Sequence, residues 1–138
     1  MKKKILIVCA DYYKDITKDL KTETLKALRK NQFTQKFIIN TKTVPGVFEI
    51  PVVISKNNNK YDGFIALGCV IKGQTPHFDY ISNATINALM NLSIQFKKPM
   101  GNAILTCLNQ NQAKVRSKGS KNKGREAAEA VIKVLKND

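Results

Sequence analysis

The chain has 138 residues, 43% of them hydrophobic, and carries 24 Lys and Arg against 10 Asp and Glu for a net charge of +14. That length suits one domain burying about two-thirds of its unfolded surface, so neither a second domain nor a metal or disulfide staple is required. The basic excess favours anionic partners and steers phosphorylated ligands inward, without choosing between RNA and a small phosphate ester.

In chain order, the first apolar run is Ile5-Leu6-Ile7-Val8-Cys9-Ala10, which follows Met1-Lys2-Lys3-Lys4 and stops at Asp11. It is too short for a typical secretory signal core and far too short for a membrane span. It predicts a strand over Ile5–Cys9. Asp15 to Lys30 then sets Ile16, Leu20, Ala27 and Leu28 on one stripe of a helix. A second strand is expected over Phe37–Thr41. The helix after it should start near Val47–Glu49, where Pro51 is tolerated in the first turn, and end in the Asn-rich turn Asn57–Lys60.

The third strand is Gly63–Cys69, and the helix that follows is the clearest of all. Ile81, Ala84, Ala88, Leu89, Leu92 and Phe96 recur at helical spacing from the His77 loop to Lys97, where Lys97-Lys98-Pro99 stops it. A fourth strand over Asn102–Cys107, a short helix over Gln110–Arg116 and a final helix from Gly124 to Lys136 complete the chain. The last helix carries Ala127, Ala128, Val131, Ile132 and Leu135. Strand-length apolar runs alternating with helical periods predict an α/β fold, a four-stranded parallel sheet of buried strands covered by helices, in a single domain over residues 1–138. Cys9, Cys69 and Cys107 lie in separate runs without C-x-x-C spacing, which argues against structural zinc and disulfides and for reduced thiols in a cytoplasmic protein.

Ligands of open α/β sheets bind outside the carboxyl ends of the strands. Asp11-Tyr12-Tyr13, Val44-Pro45-Gly46-Val47-Phe48-Glu49, the loop around His77, and Asn109-Gln110-Asn111-Gln112 all fall there. His77 is the only histidine of the chain, and histidine is the side-chain type best suited to proton transfer near neutrality, although a loop histidine also serves purely structural ends. Backbone amides of Gly73, Gln74 and Thr75 ahead of a helix offer an anion site, to which Thr75 adds a hydroxyl. No Walker sequence or G-x-G-x-x-G is present, so a nucleoside triphosphate or dinucleotide is not indicated. Lys114, Arg116, Lys118, Lys121, Lys123 and Arg125 stand in one stretch without an acid, either a solvated face or a phosphate-binding rim. An RNA-binding role for this stretch would call for stacking aromatics beside the basic residues, and it has none.

Three separated segments carry a resemblance over nearly the whole chain: Val44 to Pro51 (VPGVFEIP), Gly68 to Tyr80 (GCVIKGQTPHFDY), and Gln112-Ala113 through Arg116 to Asn122-Lys123-Gly124. In order and spacing they resemble the 6,7-dimethyl-8-ribityllumazine synthase family. The resemblance implies a flavodoxin-like three-layer α/β/α sandwich and the penultimate step of riboflavin synthesis. In that step 5-amino-6-(D-ribitylamino)uracil condenses with 3,4-dihydroxy-2-butanone 4-phosphate, releasing phosphate and water. Two small-molecule substrates, one phosphorylated, would be the partners. No cofactor, metal, membrane or nucleic acid is implied.

Residue by residue, the resemblance implies that Tyr12 stacks on the pyrimidine, with Val47, Phe48 and Glu49 along its ring and ribityl chain. Cys69, Val70 and Ile71 would contact the heterocycle through backbone. Asn102 stands where many members carry a stacking Phe. Gln74, Thr75 and Arg116 would hold the phosphate with Lys123 nearby, and His77 would shuttle protons through Schiff-base formation, phosphate elimination and ring closure. A homopentamer is implied too, its sites shared between neighbours, with Asn102 and Lys123 reaching a site whose Tyr12 and His77 belong to the adjacent chain. A larger shell is less expected, because the few residues before the first strand span only about 10 Å. The rival reading is a ribityl-ligand carrier, which has no use for a proton shuttle at His77.

Overall fold

Ile5 through Ala10 form a run without a polar side chain, and all six residues are buried in the computed structural model, which describes residues 2–30 and 36–137. Such a run needs cover on both faces, and it receives it as the second strand of a four-stranded parallel sheet. The strands are β1 (Lys3–Ala10), β2 (Phe37–Val44), β3 (Gly63–Ile71) and β4 (Met100–Cys107), in the spatial order β2-β1-β3-β4. Helices α1 (Lys14–Lys30), α2 (Ile50–Lys56), α3 (His77–Phe96), α4 (Gln110–Arg116) and α5 (Lys123–Leu135) connect and cover them. Met1, part of the signal-like reading, lies outside the described residues.

The pleat sorts side chains into two cores. Ile5, Ile7, Cys9, Ile65, Leu67, Cys69, Leu105 and Cys107 pack with Leu20 and Leu28 of α1 and Ala128, Val131 and Ile132 of α5. Leu6, Val8, Ala10, Phe64, Ala66 and Ile104 pack on the other face with Ile50 and Ile54 of α2 and Leu89 of α3. The result is a three-layer α/β/α sandwich: the alternation of strand and helix periods predicted the covered parallel sheet, and the family resemblance implied the three layers. Where α1 crosses α5, a Cβ on Gly124 would collide with the Leu20 carbonyl oxygen and the Thr24 hydroxyl, so glycine sets how closely the two helices approach. Asn122, fully buried, sits at that crossing. Its Oδ1 accepts from the Gly124 and Arg125 amides at 2.8 and 3.2 Å, capping α5. Its Nδ2 donates to the carbonyls of Ser117 at 2.7 Å and Asp19 at 3.1 Å.

Two expectations are corrected. Strand β2 is not a buried strand: only Phe37, Val44 and little between them are covered, because the strand order leaves it at the sheet edge. It also runs on to Val44, since the pairing with β1 continues to Ala10↔Val44. In α3 the predicted apolar stripe is only partly covered. Leu89 is buried beside Ser82 and Thr85, Ile81 and Leu92 pack half-buried against the same core, and Ala84 is exposed. Tyr80, Met90 and Ile94 are 69, 60 and 68% exposed. The hydroxyls of Ser82 and Thr85 have no hydrogen-bond partner among the described residues. A helix with apolar side chains on more than one face overstates, in its periodicity, how much a single chain buries. Among the described residues no helix is long and apolar enough to cross a membrane.

Candidate functional site

The chain leaves β1 at Asp11, whose amide donates to the Val44 carbonyl at 3.0 Å, and this ties the turn after β1 to the end of β2. Tyr12 and Tyr13 follow, ring centroids 4.9 Å apart in an edge-to-face pair. After β2, residues 46–49 form a tight turn in which Glu49 Oε1 accepts from the Gly46 amide at 3.0 Å. That turn presses on β3: a Cβ on Gly68 would stand 2.6 Å from Val47 Cγ1 and 3.1 Å from Ala10 Cβ. Any larger residue at Gly68 would push the turn off the strand. The second Glu49 oxygen has no partner among the described residues.

These segments enclose a cavity of about 530 Å³ beyond the carboxyl ends of β1 and β3, where open α/β sheets bind ligands. Tyr12, Val47, Phe48, Glu49, Cys69, Val70, Ile71, Thr75 and His77 all line it. Nine of the residues singled out in the sequence therefore converge. Tyr12 and Phe48 are 75 and 59% exposed, presenting broad ring faces to any flat ligand. The loop before α3 is organised by Thr75, whose Oγ1 accepts a long bond of 3.4 Å from the His77 amide. His77 is exposed at the first position of α3, open to a reacting group.

Cys69 is the one thiol on this wall. Burial, then the neighbouring Cys107 and a thiol–thiol hydrogen bond to it, push its pKa up to about 12. It is therefore a neutral lining group and no thiolate nucleophile. Burial also raises the Tyr13 hydroxyl, with Tyr12 and Cys69 contributing. Tyr13, Gly46 and Gly73, which belong to the segments expected at the strand ends, line the cavity as well. Phe78 and Ile81, absent from the expected site, also line it; Ile81 was detectable as the residue one helical turn after His77.

Asn102, Arg116 and Lys123 line a different cavity, of about 340 Å³, with Ala103, Ile104, Leu105 and Thr106. It runs along β4, the opposite edge strand of the sheet from β2. Arg116 Nη1 donates to Gln112 Oε1 at 3.5 Å and to Cys107 Sγ at 3.7 Å, both neutral. No carboxylate pairs with it among the described residues. Its half-buried charge is left for an anion. Lys123 is paired with Glu126 at 3.2 Å. Asn102 turns its Oδ1 back to the Ile104 amide at 3.0 Å. Gln74 is exposed and lines neither cavity. Within one chain, then, the expected site residues divide into two groups that do not meet: an aromatic pocket with His77, and a cationic groove with Arg116.

A sequence model of the family described as 6,7-dimethyl-8-ribityllumazine synthase matches residues 2–138. Proteins named 6,7-dimethyl-8-ribityllumazine synthase are similar along their length. That of Bartonella tribocorum is 43% identical over 96% of this chain and 89% of its own. That of Agrobacterium fabrum is 40% identical over 95% and 91%, and that of Corynebacterium kroppenstedtii 38% identical over 94% and 80%.

Proposed function

The chain belongs to the 6,7-dimethyl-8-ribityllumazine synthase family, and on that premise we propose how its two cavities divide the work of the reaction. The enzyme is a transferase of riboflavin biosynthesis. It condenses 5-amino-6-(D-ribitylamino)uracil with 3,4-dihydroxy-2-butanone 4-phosphate to give 6,7-dimethyl-8-ribityllumazine, phosphate and water. In this reading the Tyr12 cavity takes the pyrimidine. Tyr12 and Phe48 flank its ring, Val47, Val70 and Ile71 bound it, and the free oxygen of Glu49 accepts from ribityl hydroxyls. Cys69 remains protonated beside the ring. Arg116 holds the phosphate by charge-assisted hydrogen bonds, with Lys123, Thr75 and Gln74 around it.

The chemistry asks for proton transfers at a nitrogen and at carbon. The pyrimidine amine attacks the ketone, water leaves to give the imine, phosphate is eliminated, and the second amine closes the ring with loss of another water. His77 takes and returns the protons. Holding two substrates at adjoining positions supplies much of the rate.

The single observation that carries this reading is the division of the site residues between two cavities of one chain. It supports a site made by two subunits, each giving its aromatic pocket to one neighbour and its cationic groove to the other, in a homopentameric ring. The open apolar side chains of α3, Tyr80, Met90 and Ile94, support such an interface. The three free, buried thiols accord with a cytoplasmic working place. Mixing the purified protein with both substrates tests the reaction. Lumazine fluorescence should rise together with free phosphate, and lumazine binding without phosphate release would make it a carrier.

A further inference from the structure

The Arg116 guanidinium is neither loose in solvent nor neutralised. It rests on two uncharged acceptors, Cys107 Sγ at 3.7 Å and Gln112 Oε1 at 3.5 Å. Both acceptors are themselves held. Cys107 is fully buried on the last residue of β4. Gln112 Oε1 also accepts from the Leu108 amide at 2.8 Å, and the Gln112 amide donates to Asn109 Oδ1 at 2.9 Å. Arg116 is one turn beyond Gln112 on α4, a spacing that brings the two side chains onto one face. A sulfur and an amide oxygen fix the direction of a guanidinium without cancelling its charge. A carboxylate in either place would fix it and cancel it. A fork-shaped donor that is already aimed loses less rotamer freedom when an anion arrives.

We propose that Cys107 and Gln112 are positioning residues that pre-orient Arg116 for the phosphate of the substrate. The proposal rests on the reading of the Arg116 groove as the phosphate half of the site. Neither residue touches substrate. Both act through Arg116, so their removal raises KM for the phosphorylated substrate and leaves KM for the pyrimidine and kcat unchanged. Cys107 also neighbours Cys69, which lines the other cavity.

The test compares Cys107→Val, Cys107→Ser, Gln112→Leu and Arg116→Ala in the assembled enzyme. Steady-state kinetics are run in each substrate, with titration calorimetry of inorganic phosphate alongside. Leu removes the Gln112 acceptor at similar size, Val removes the Cys107 thiol and adds one methyl group, and Ser keeps an acceptor. Losing one weak hydrogen bond to Arg116 is expected to raise KM for the butanone phosphate about threefold to tenfold in Cys107→Val and in Gln112→Leu, the latter also freeing the Leu108 amide. Cys107→Ser should return to within about twofold of the parent. In an Arg116→Ala background neither substitution should add anything, because the group they orient is gone. Equal rises in both KM values, or no rise, would overturn the positioning role. So would a further rise on top of Arg116→Ala. Should Cys107→Val not fold, Gln112→Leu, on an exposed helix, carries the same expectation. Arg116→Ala leaving phosphate binding unchanged would instead overturn the phosphate reading itself.

Discussion

Lys123 Nζ stands 3.2 Å from a Glu126 carboxylate oxygen one turn along α5, whereas Arg116, across the same groove, has no carboxylate partner among the described residues. The two cations expected around the phosphate are therefore unequal. Arg116→Ala should weaken the butanone phosphate by about 2–3 kcal/mol and barely affect the pyrimidine, since truncating one side of a charged hydrogen bond costs about that much. Lys123→Ala should cost about 1 kcal/mol or less, because the lost charge is already shared with Glu126. KM measured separately for each substrate checks both. Equal losses for the two substrates in Arg116→Ala would indicate a folding defect.

His77→Ala should lower turnover by a factor on the order of ten to a thousand, with folding and ligand binding nearly intact. Positioned proton transfer contributes about 10² to 10⁴, and water reaching this exposed position substitutes in part. Single-turnover rates and lumazine binding, measured together, separate the two effects. Unchanged turnover sinks the assigned role.

Light scattering at micromolar concentration should give a mass near five times 15.5 kDa; a tenfold or sixtyfold mass would enlarge the assembly. Sharing of sites has its own test. His77→Ala and Arg116→Ala chains, each impaired when assayed below the KM for the butanone phosphate, are dissociated, mixed equally and reassembled. In a ring joined head to tail, about one site in four then receives an intact pocket and an intact groove. Recovered activity is expected, and its absence, or an active monomer, would refute the shared site.

Asn122→Ala should destabilise the fold by about 2–3 kcal/mol. It removes the cap of α5 and leaves the Ser117 and Asp19 carbonyls short of a buried donor. Urea unfolding at fixed protein concentration measures it, and Asn122→Asp, which keeps the capping oxygen, should fall between the two.

The Cys69 thiol predicts a dependence on alkaline pH. Its pKa is raised from 9.0 to about 12, chiefly by burial. Above pH 9 the unfolded chain gives up this proton while the folded chain keeps it, so this contribution to stability is complete below pH 9 and is lost as the pH rises towards 12. The urea midpoint should therefore fall on going from about pH 8.5 to 10.5, and fall less in Cys69→Ala. Parallel slopes in the two proteins would remove Cys69 as the cause.

How much of this was legible beforehand follows from what is local. The alternation of apolar runs with helical periods depends only on residues near one another in the chain. From it came the elements, the parallel sheet and the helices Gln110–Arg116 and Asp15–Lys30, within a residue or two of their observed bounds. The loops at the carboxyl ends of β1, β2 and β3 were equally readable, since such ends are where this architecture binds ligands. That Tyr12, Phe48, Glu49 and His77 share one cavity followed from the order of the strands. Strand order itself is not local. It made β2 an edge strand with a largely exposed surface, and it set Asn102, Arg116 and Lys123 along β4, away from the aromatic pocket of the same chain. Charge partners, by contrast, were local: Lys123 and Glu126 stand three apart on one helix, and Arg116 stands one turn beyond Gln112 and nine residues after Cys107. A count of the basic residues between Lys114 and Arg125 without their neighbours misses this. The chain's pattern determined the buried faces of β1, β3, α1 and α5; only the packed structure decided which neighbours those faces find and how much of β2 and α3 is covered, because contacts between distant segments depend on how the strands are ordered and not on hydrophobic period.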